Sequence, residues 1–421
     1  MSPSLPWHEW LPNRLLIAVL FCFGPLVYLA PLSAAALLFI IFAVTGLLAL
    51  QSSGLQLGPA FRALLPMAPL FAWMFLSILW ALDRTAALSL ALRLVAIFAA
   101  GGLLAWWFAT MPLDRLRPAI LALAAGFAAA AIFLTLDLHF NGAIVRHLHK
   151  PQPANFDIAV LYSRGATIHA VLLVPLSIIL LRLGKPGLAV LQAAIGIIAI
   201  LVTASLSAKM ALGGALAAAA AIRLLPQLRW ALLGLLALAA AALPFIFPIG
   251  FDAATTCWLD NNKASALHRI YIWNFAAERI AEHPVIGWGL DASRRIPGGD
   301  APLIIYRCGA DLQPTAKVAV ESSYLPLHPH NAIMQLWLEL GGIGTVLGFG
   351  MLIALLARAY GAAAWRDPTT QAAFGASTLA GLAVALVSFG VWQEWFLSGL
   401  FFAAAIAAFT ARLGLTQPPN K

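Results

Sequence analysis

The chain is 421 residues long, 62% hydrophobic and only 10% charged, with a mean hydropathy of +0.91 and a formal net charge of +9. A soluble globular domain carries about 25% charged residues, so the composition excludes that class and indicates a polytopic membrane protein. The cations are scattered over separate flanks of apolar runs and form no basic patch with aromatics between them, which removes nucleic-acid binding from the reading.

Apolar runs of about 17 to 25 residues can cross a hydrocarbon core of about 30 Å as helices, because helices satisfy their own backbone hydrogen bonds there. The sequence predicts about twelve, over 14–30, 32–50, 63–82, 87–110, 118–138, 166–182, 187–205, 210–225, 230–250, 331–357, 370–389 and 393–411. The expected fold is all-α and polytopic. No small-residue cleavage site separates the first two runs, so the first is read as a retained anchor. Residues 1–250 carry the first nine spans with a loop at 139–165, residues 251–329 form a large loop, and 330–421 carry the last three spans. The large loop is expected to hold short helices and to lie on the membrane domain.

Cytoplasmic loops hold the excess of Lys and Arg. With a cytoplasmic N-terminus, Arg62, Arg115, Arg117, Arg182, Arg223, Arg229, Arg358 and Arg412 fall inside, as does the C-terminus. The two long loops then face out. So do eight of the nine histidines: His139, His147, His149, His169, His268, His283, His328 and His330. Within the outer loop, Ala264 to Glu282 reads as an amphipathic helix with Arg269, Trp273, Ala276 and Ile280 on one face. His283-Pro284, Gly287 and Gly289 end it. The glycines and proline around 298–302 and Cys308-Gly309 predict turns and irregular chain. Cys257 and Cys308 share this loop, where a disulfide and two free thiols both remain open. No Gly-rich phosphate-binding signature occurs there.

The last long stretch opens with Leu327-His328-Pro329-His330-Asn331. Asn331, Gln335 and Glu339 recur every four residues, one polar stripe on an otherwise apolar helix. Such a stripe should face protein or a water-filled cavity. Asn331 suits the N-cap, and His330 serves either chemistry or the helix entrance.

His330-Asn331, followed after nine residues by Gly341-Gly342-Ile343-Gly344, resembles the histidine motif of the O-antigen ligase family. His268-Arg269-Ile270-Tyr271-Ile272-Trp273 and His283-Pro284-Val285-Ile286-Gly287-Trp288-Gly289 are similar to that superfamily's loop, and the layout of spans agrees. The resemblance implies a metal-independent inverting glycosyltransferase with a GT-C-like body in a bacterial inner membrane. It would need no cofactor and would move O-antigen from undecaprenyl diphosphate to lipid A core, with His330 as general base. The family's diphosphate-binding arginines map to Arg269 and, by position, to Arg164. Arg146 and Arg93 are supplementary cations, and guanidinium forks suit phosphate. A related polysaccharide polymerase is the nearest alternative. A lipid-linked glycan transporter, with Arg93, Glu339 and Glu394 along its path, is the alternative of another class.

Overall fold

The computed structural model describes residues 7–53, 58, 62, 64–150, 152, 153, 156–309, 311, 313–362 and 367–416. The protein is an all-α polytopic membrane protein. Among the described residues, ten helices are long and apolar enough to cross a membrane, and two shorter apolar helices stand beside them. The long helices are α1 (Trp7–Leu29), α2 (Ser33–Ser53), α4 (Arg84–Thr110), α5 (Leu113–His139), α6 (Ser163–Arg182), α8 (Leu206–Leu224), α9 (Leu228–Ile246), α11 (Ala332–Gly361), α12 (Pro368–Val387) and α13 (Glu394–Thr416). The short ones, α3 (Ala68–Ser77) and α7 (Pro186–Val202), occupy the spans expected at 63–82 and 187–205. Pro66 and Pro69 crowd the start of α3, and residues 78–83 beyond it turn instead of extending the helix.

The apolar faces of these helices meet in one core. α6 is central, with 83% of its apolar window buried against 22% for α9 at the periphery. Small residues let backbones approach closely: a Cβ on Gly126 would lie 2.0 Å from the Phe21 carbonyl oxygen, across the α1–α5 crossing. Phe23 stacks on Phe402 at 4.5 Å nearby. One end of the bundle is held by basic side chains. Arg182 bonds Thr410 and Asp367, Arg412 bonds Met111, and Arg229 donates to the Pro226 carbonyl at 2.5 Å.

The opposite end gathers the connections at 78–83, 203–205, 247–331 and 388–393. The large loop starts with α10 (Ala253–Glu282), whose N-cap Asp252 accepts from Thr255 N at 2.6 Å and whose helical geometry breaks at Lys263. A thirty-residue kinked helix thus stands where short helices were expected, and its part beyond Lys263 matches the predicted 264–282. Asn274 exchanges two bonds of 2.8 Å with the Ile249 backbone, fixing the exit from α9. A hairpin of β1 (Pro302–Cys308) and β2 (Pro314–Ser323) replaces the irregular chain expected after Gly298. Its Ile304, Ile305 and Val318 are β-branched residues that favour strands. Cys257 and Cys308 are joined in a disulfide across 51 residues of chain.

The loop is clamped to α11 through backbone. Gly341 interrupts that helix at φ +67° and ψ −168°, a conformation open in practice to glycine alone. The carbonyls and amides freed by the break pair with residues 284–289. Gly342 N donates to Pro284 O at 2.8 Å, Trp288 N to Leu338 O at 2.9 Å and Gly289 N to Glu339 O at 2.8 Å. A Cβ on Gly341 would meet the Val285 carbonyl oxygen at 2.3 Å, and one on Gly287 would meet the Glu339 backbone at 2.5 Å. The two glycine-bearing stretches of the sequence are therefore the two halves of one contact.

Candidate active site

The segment before α11 is bent into place by its neighbours. Trp273 on α10 donates its indole N–H to the Pro329 carbonyl at 2.8 Å. Asn331 caps α11, its Oδ1 accepting from Ile333 N at 3.0 Å and Met334 N at 3.1 Å. Between them His330 adopts φ +55°, an uncommon left-handed conformation for a side chain other than glycine. Such strain persists where the surroundings over-determine it, and it clusters at functional sites.

His330 is oriented by a helix end. α12 stops at Val387, and the carbonyl of Ser388 in the following break meets His330 Nδ1. A carbonyl oxygen only accepts, so Nδ1 carries the proton and Nε2 presents its lone pair. The His330 backbone N–H donates to His328 Nδ1 at 3.2 Å, and the two rings lie 4.3 Å apart. Gln393 Nε2 stands 3.0 Å from His328 Nε2, while Gln393 Oε1 accepts from the Trp395 indole at 3.1 Å. Arg164 lies over the Trp395 ring at 5.9 Å. Burial pushes His328 down to about 3, helped by His330 and Arg294. Burial also lowers His330, opposed by the bond to Ser388 and reinforced by the charges of Arg269 and His268. Both imidazoles are neutral at pH 7.

Arg269 is half-buried on α10. Its Nη1 donates to Ser265 O at 2.8 Å and Ser265 Oγ at 2.5 Å, while its Nε is buried with no partner among the described residues. A buried guanidinium N–H without an acceptor is costly unless a ligand supplies one. Beside it, His268 Nε2 lies 3.3 Å from the Ser323 carbonyl, tying the hairpin to the helix.

The polar stripe below forms the foundation. Asn331, Gln335 and Glu339 are all buried. The Glu339 carboxylate accepts from Asp291 N (2.8 Å), Ser293 Oγ (2.5 Å), Gln335 Nε2 (2.9 Å) and Trp392 Nε1 (2.7 Å). Gln335 Oε1 accepts from Val391 N at 2.9 Å. The stripe thus faces protein, and it staples the 290–293 loop and the 388–393 break to the helix that follows His330.

The four residues singled out from sequence are placed unequally. Arg269 and His330 come within electrostatic reach of one another. Arg164 joins them indirectly, through Trp395, Gln393 and His328. Arg146 lies elsewhere: its Nε donates to Asn141 O at 2.9 Å, and it lines a pocket with Leu138, Phe156, Asp157 and Val202 that includes no residue of 328–339. Arg93 pairs with Glu394 at 2.9 Å. Sequence reasoning missed Ser388, Gln393 and Trp395, whose only signal was the run Ser388 to Trp395 dividing two apolar stretches. Among the described residues no group of three or more His, Cys, Asp or Glu side chains stands ready for a metal ion.

The sequence model of the O-antigen ligase family matches residues 191–349, a stretch containing α10, the clamp, Arg269 and His330. This part of the chain is similar to the O-antigen ligase family. Arg146 and Arg164 precede the matched stretch. Relatives named as candidate polysaccharide ligases are 34% identical in Rickettsia conorii over 136 residues, in Rickettsia prowazekii over 144 and in Rickettsia typhi over 140. Each alignment takes in about a third of this chain, 32% or 33%. It spans under a third of the relative, 30% or 31% of its length. The similarity to the O-antigen ligase family therefore centres on the loop and the helix it clamps.

Proposed function

We propose that the protein is a metal-independent inverting glycosyltransferase, an O-antigen ligase. It would move a polymerised glycan from undecaprenyl diphosphate to a sugar hydroxyl of lipid A core, at the periplasmic face of a bacterial inner membrane. The observation that carries this reading is the pairing of a tautomer-fixed imidazole with a guanidinium whose Nε has no partner among the described residues. The acceptor hydroxyl gives its proton to His330 Nε2 as its oxygen bonds to the donor's anomeric carbon. The bond from that carbon to the diphosphate oxygen breaks, and the electron pair leaves with undecaprenyl diphosphate. Attack from the side opposite the leaving group inverts the anomeric configuration.

Arg269 stabilises the charge that grows on the diphosphate, the larger of the two contributions in reactions of this kind. Arg164 and the outlying Arg146 supply further positive charge along the donor's approach. Glu339 spends its acceptor capacity on four internal donors, so it is not left to line a transport path. This favours an enzyme over a transporter.

His330→Ala is expected to lower kcat by roughly 10² to 10⁴ with the protein still folded in the membrane. Arg269→Lys keeps the charge but loses the fork and should cost about 10² in kcat/KM. Full activity with lysine would end the assignment of bidentate diphosphate recognition. A deletion strain separates ligase from polymerase: long chains accumulating on the carrier lipid support ligation, whereas single repeat units on lipid A core support polymerisation.

A further inference from the structure

Arg269 acts on His330, but a different arginine acts on His328. That arginine, Arg294, belongs to a group of ionic side chains brought together by three connections on the loop-bearing end. Residues 289–295 pack on the turn after α3, where Leu290 N donates to Ser77 Oγ at 3.3 Å and a Cβ on Gly289 would lie 2.5 Å from Ala81 Cα. Asp291 N and Ser293 bond Glu339, and Trp392 bonds the same carboxylate, which brings the start of α13 alongside.

Three ion pairs result: Arg295–Asp83 at 2.6 Å, Arg294–Asp291 at 3.1 Å and Arg93–Glu394 at 2.9 Å. They form one cluster, since the charges of Arg294, Arg93 and Asp83 all act on the Asp291 carboxylate. The three guanidinium side chains are 54%, 61% and 55% exposed and their carboxylate partners 17%, 27% and 36%, so a ligand meets the guanidinium edges first, with a narrower carboxylate edge beside each.

Three cations and three anions cancel. An isolated diphosphate gains less from such a surface than from an unpaired arginine, because each guanidinium that attracts it has a carboxylate beside it that repels it. A neutral sugar does gain: its hydroxyls donate to carboxylate oxygens and accept from guanidinium N–H groups, and charge-assisted bonds are the stronger kind.

We infer that the cluster of Asp83, Arg93, Asp291, Arg294, Arg295 and Glu394 is the acceptor subsite, binding an uncharged face of the acceptor glycan next to the histidine pair. The inference rests on the proposed transferase function and divides the site in two. Arg269 holds the anionic donor, the neutral cluster holds the acceptor, and His330 faces the hydroxyl between them.

The test is calorimetric binding of core oligosaccharide, freed of lipid A and of phosphate, to the detergent-purified full chain. Wild-type protein should bind it, with an affinity that changes less than about threefold as salt rises past the screening of exposed charges. Arg294→Met and Arg93→Met should each weaken binding about tenfold, and Arg294→Lys should recover part of the loss. All three variants should bind undecaprenyl diphosphate as the wild type does, which shows that they are folded. Absence of wild-type binding, equal binding by the variants, or a steep salt dependence would overturn the inference. The transfer assay separates the two claims. Binding without transfer leaves the subsite standing and removes the ligase reading, while transfer with only the donor KM altered in the variants does the reverse.

Discussion

His330 combines three local features that each constrain it: a left-handed backbone, an Nδ1 proton held by the Ser388 carbonyl, and a neighbouring arginine. The first two fix where Nε2 points, and burial, with a smaller contribution from the third, keeps the ring neutral. A general base must be unprotonated, so the lowered His330 value moves the acid limb of kcat/KM below the ordinary imidazole value of about 6.5. A pH–rate profile on purified protein checks this, and an acid limb centred at or above about 6.5 would contradict it. His328 gives a stability counterpart. The unfolded chain protonates this ring near pH 6.5, whereas the fold resists until about 3. Between those values the unfolded state holds the extra proton, so stability falls as pH drops from about 6.5 towards 3. Thermal unfolding of His328→Gln should show a shallower loss over that window than the wild type. Arg269 and His330 were legible in the sequence because both sit in short motifs. Ser388 and Gln393 were not, because each acts from 58 or more residues away, Ser388 through a backbone carbonyl that any residue could supply and Gln393 through a side chain in no recognisable motif.

Among the elements, the clamp between residues 284–289 and the break at Gly341 fixes the loop against α11. Alanine at 341 would meet both an unfavourable φ and the Val285 carbonyl. The backbone strain alone costs about 1 to 3 kcal/mol, and loss of the paired amides adds to it. Gly341→Ala should therefore unfold at lower temperature and lose activity in parallel, as scanning fluorimetry and transfer assays would show; unchanged stability would mean that the break is incidental. The same element explains what the sequence showed only in part. The spacing of His283-Pro284, Gly287, Gly289 and Gly341 was visible as punctuation, but that the two stretches hydrogen-bond to each other is a tertiary fact. The hairpin at 302–323 was hidden for another reason: its glycines and prolines were read as irregular chain, while Ile304, Ile305 and Val318 carried the strand signal.

Across the whole molecule, composition and apolar length sufficed for the class, an all-α polytopic bundle with one large loop. They overstated two spans, since α3 and α7 are short. Helix ends do the remaining work. The breaks after α3 and α12 and the entrance to α11 meet at one end of the bundle, and that convergence assembles the proposed site from residues scattered between Asp83 and Trp395. Arg146 belongs to the same sequence reading but to a different pocket, so its replacement by alanine should change kcat/KM far less than replacement of Arg269. Equal losses from the two variants, measured side by side, would show that the donor reaches well beyond the histidine pair.

The most direct measurement is transfer by the isolated protein. Purified chain in detergent, given undecaprenyl diphosphate-linked glycan and lipid A core with no nucleotide and no ion gradient, should yield the joined glycolipid with inverted anomeric configuration. The His330→Ala protein, folded and still binding donor, should transfer roughly 10² to 10⁴ times more slowly. Transfer by that variant at the wild-type rate, or retained configuration in the product, would contradict the account.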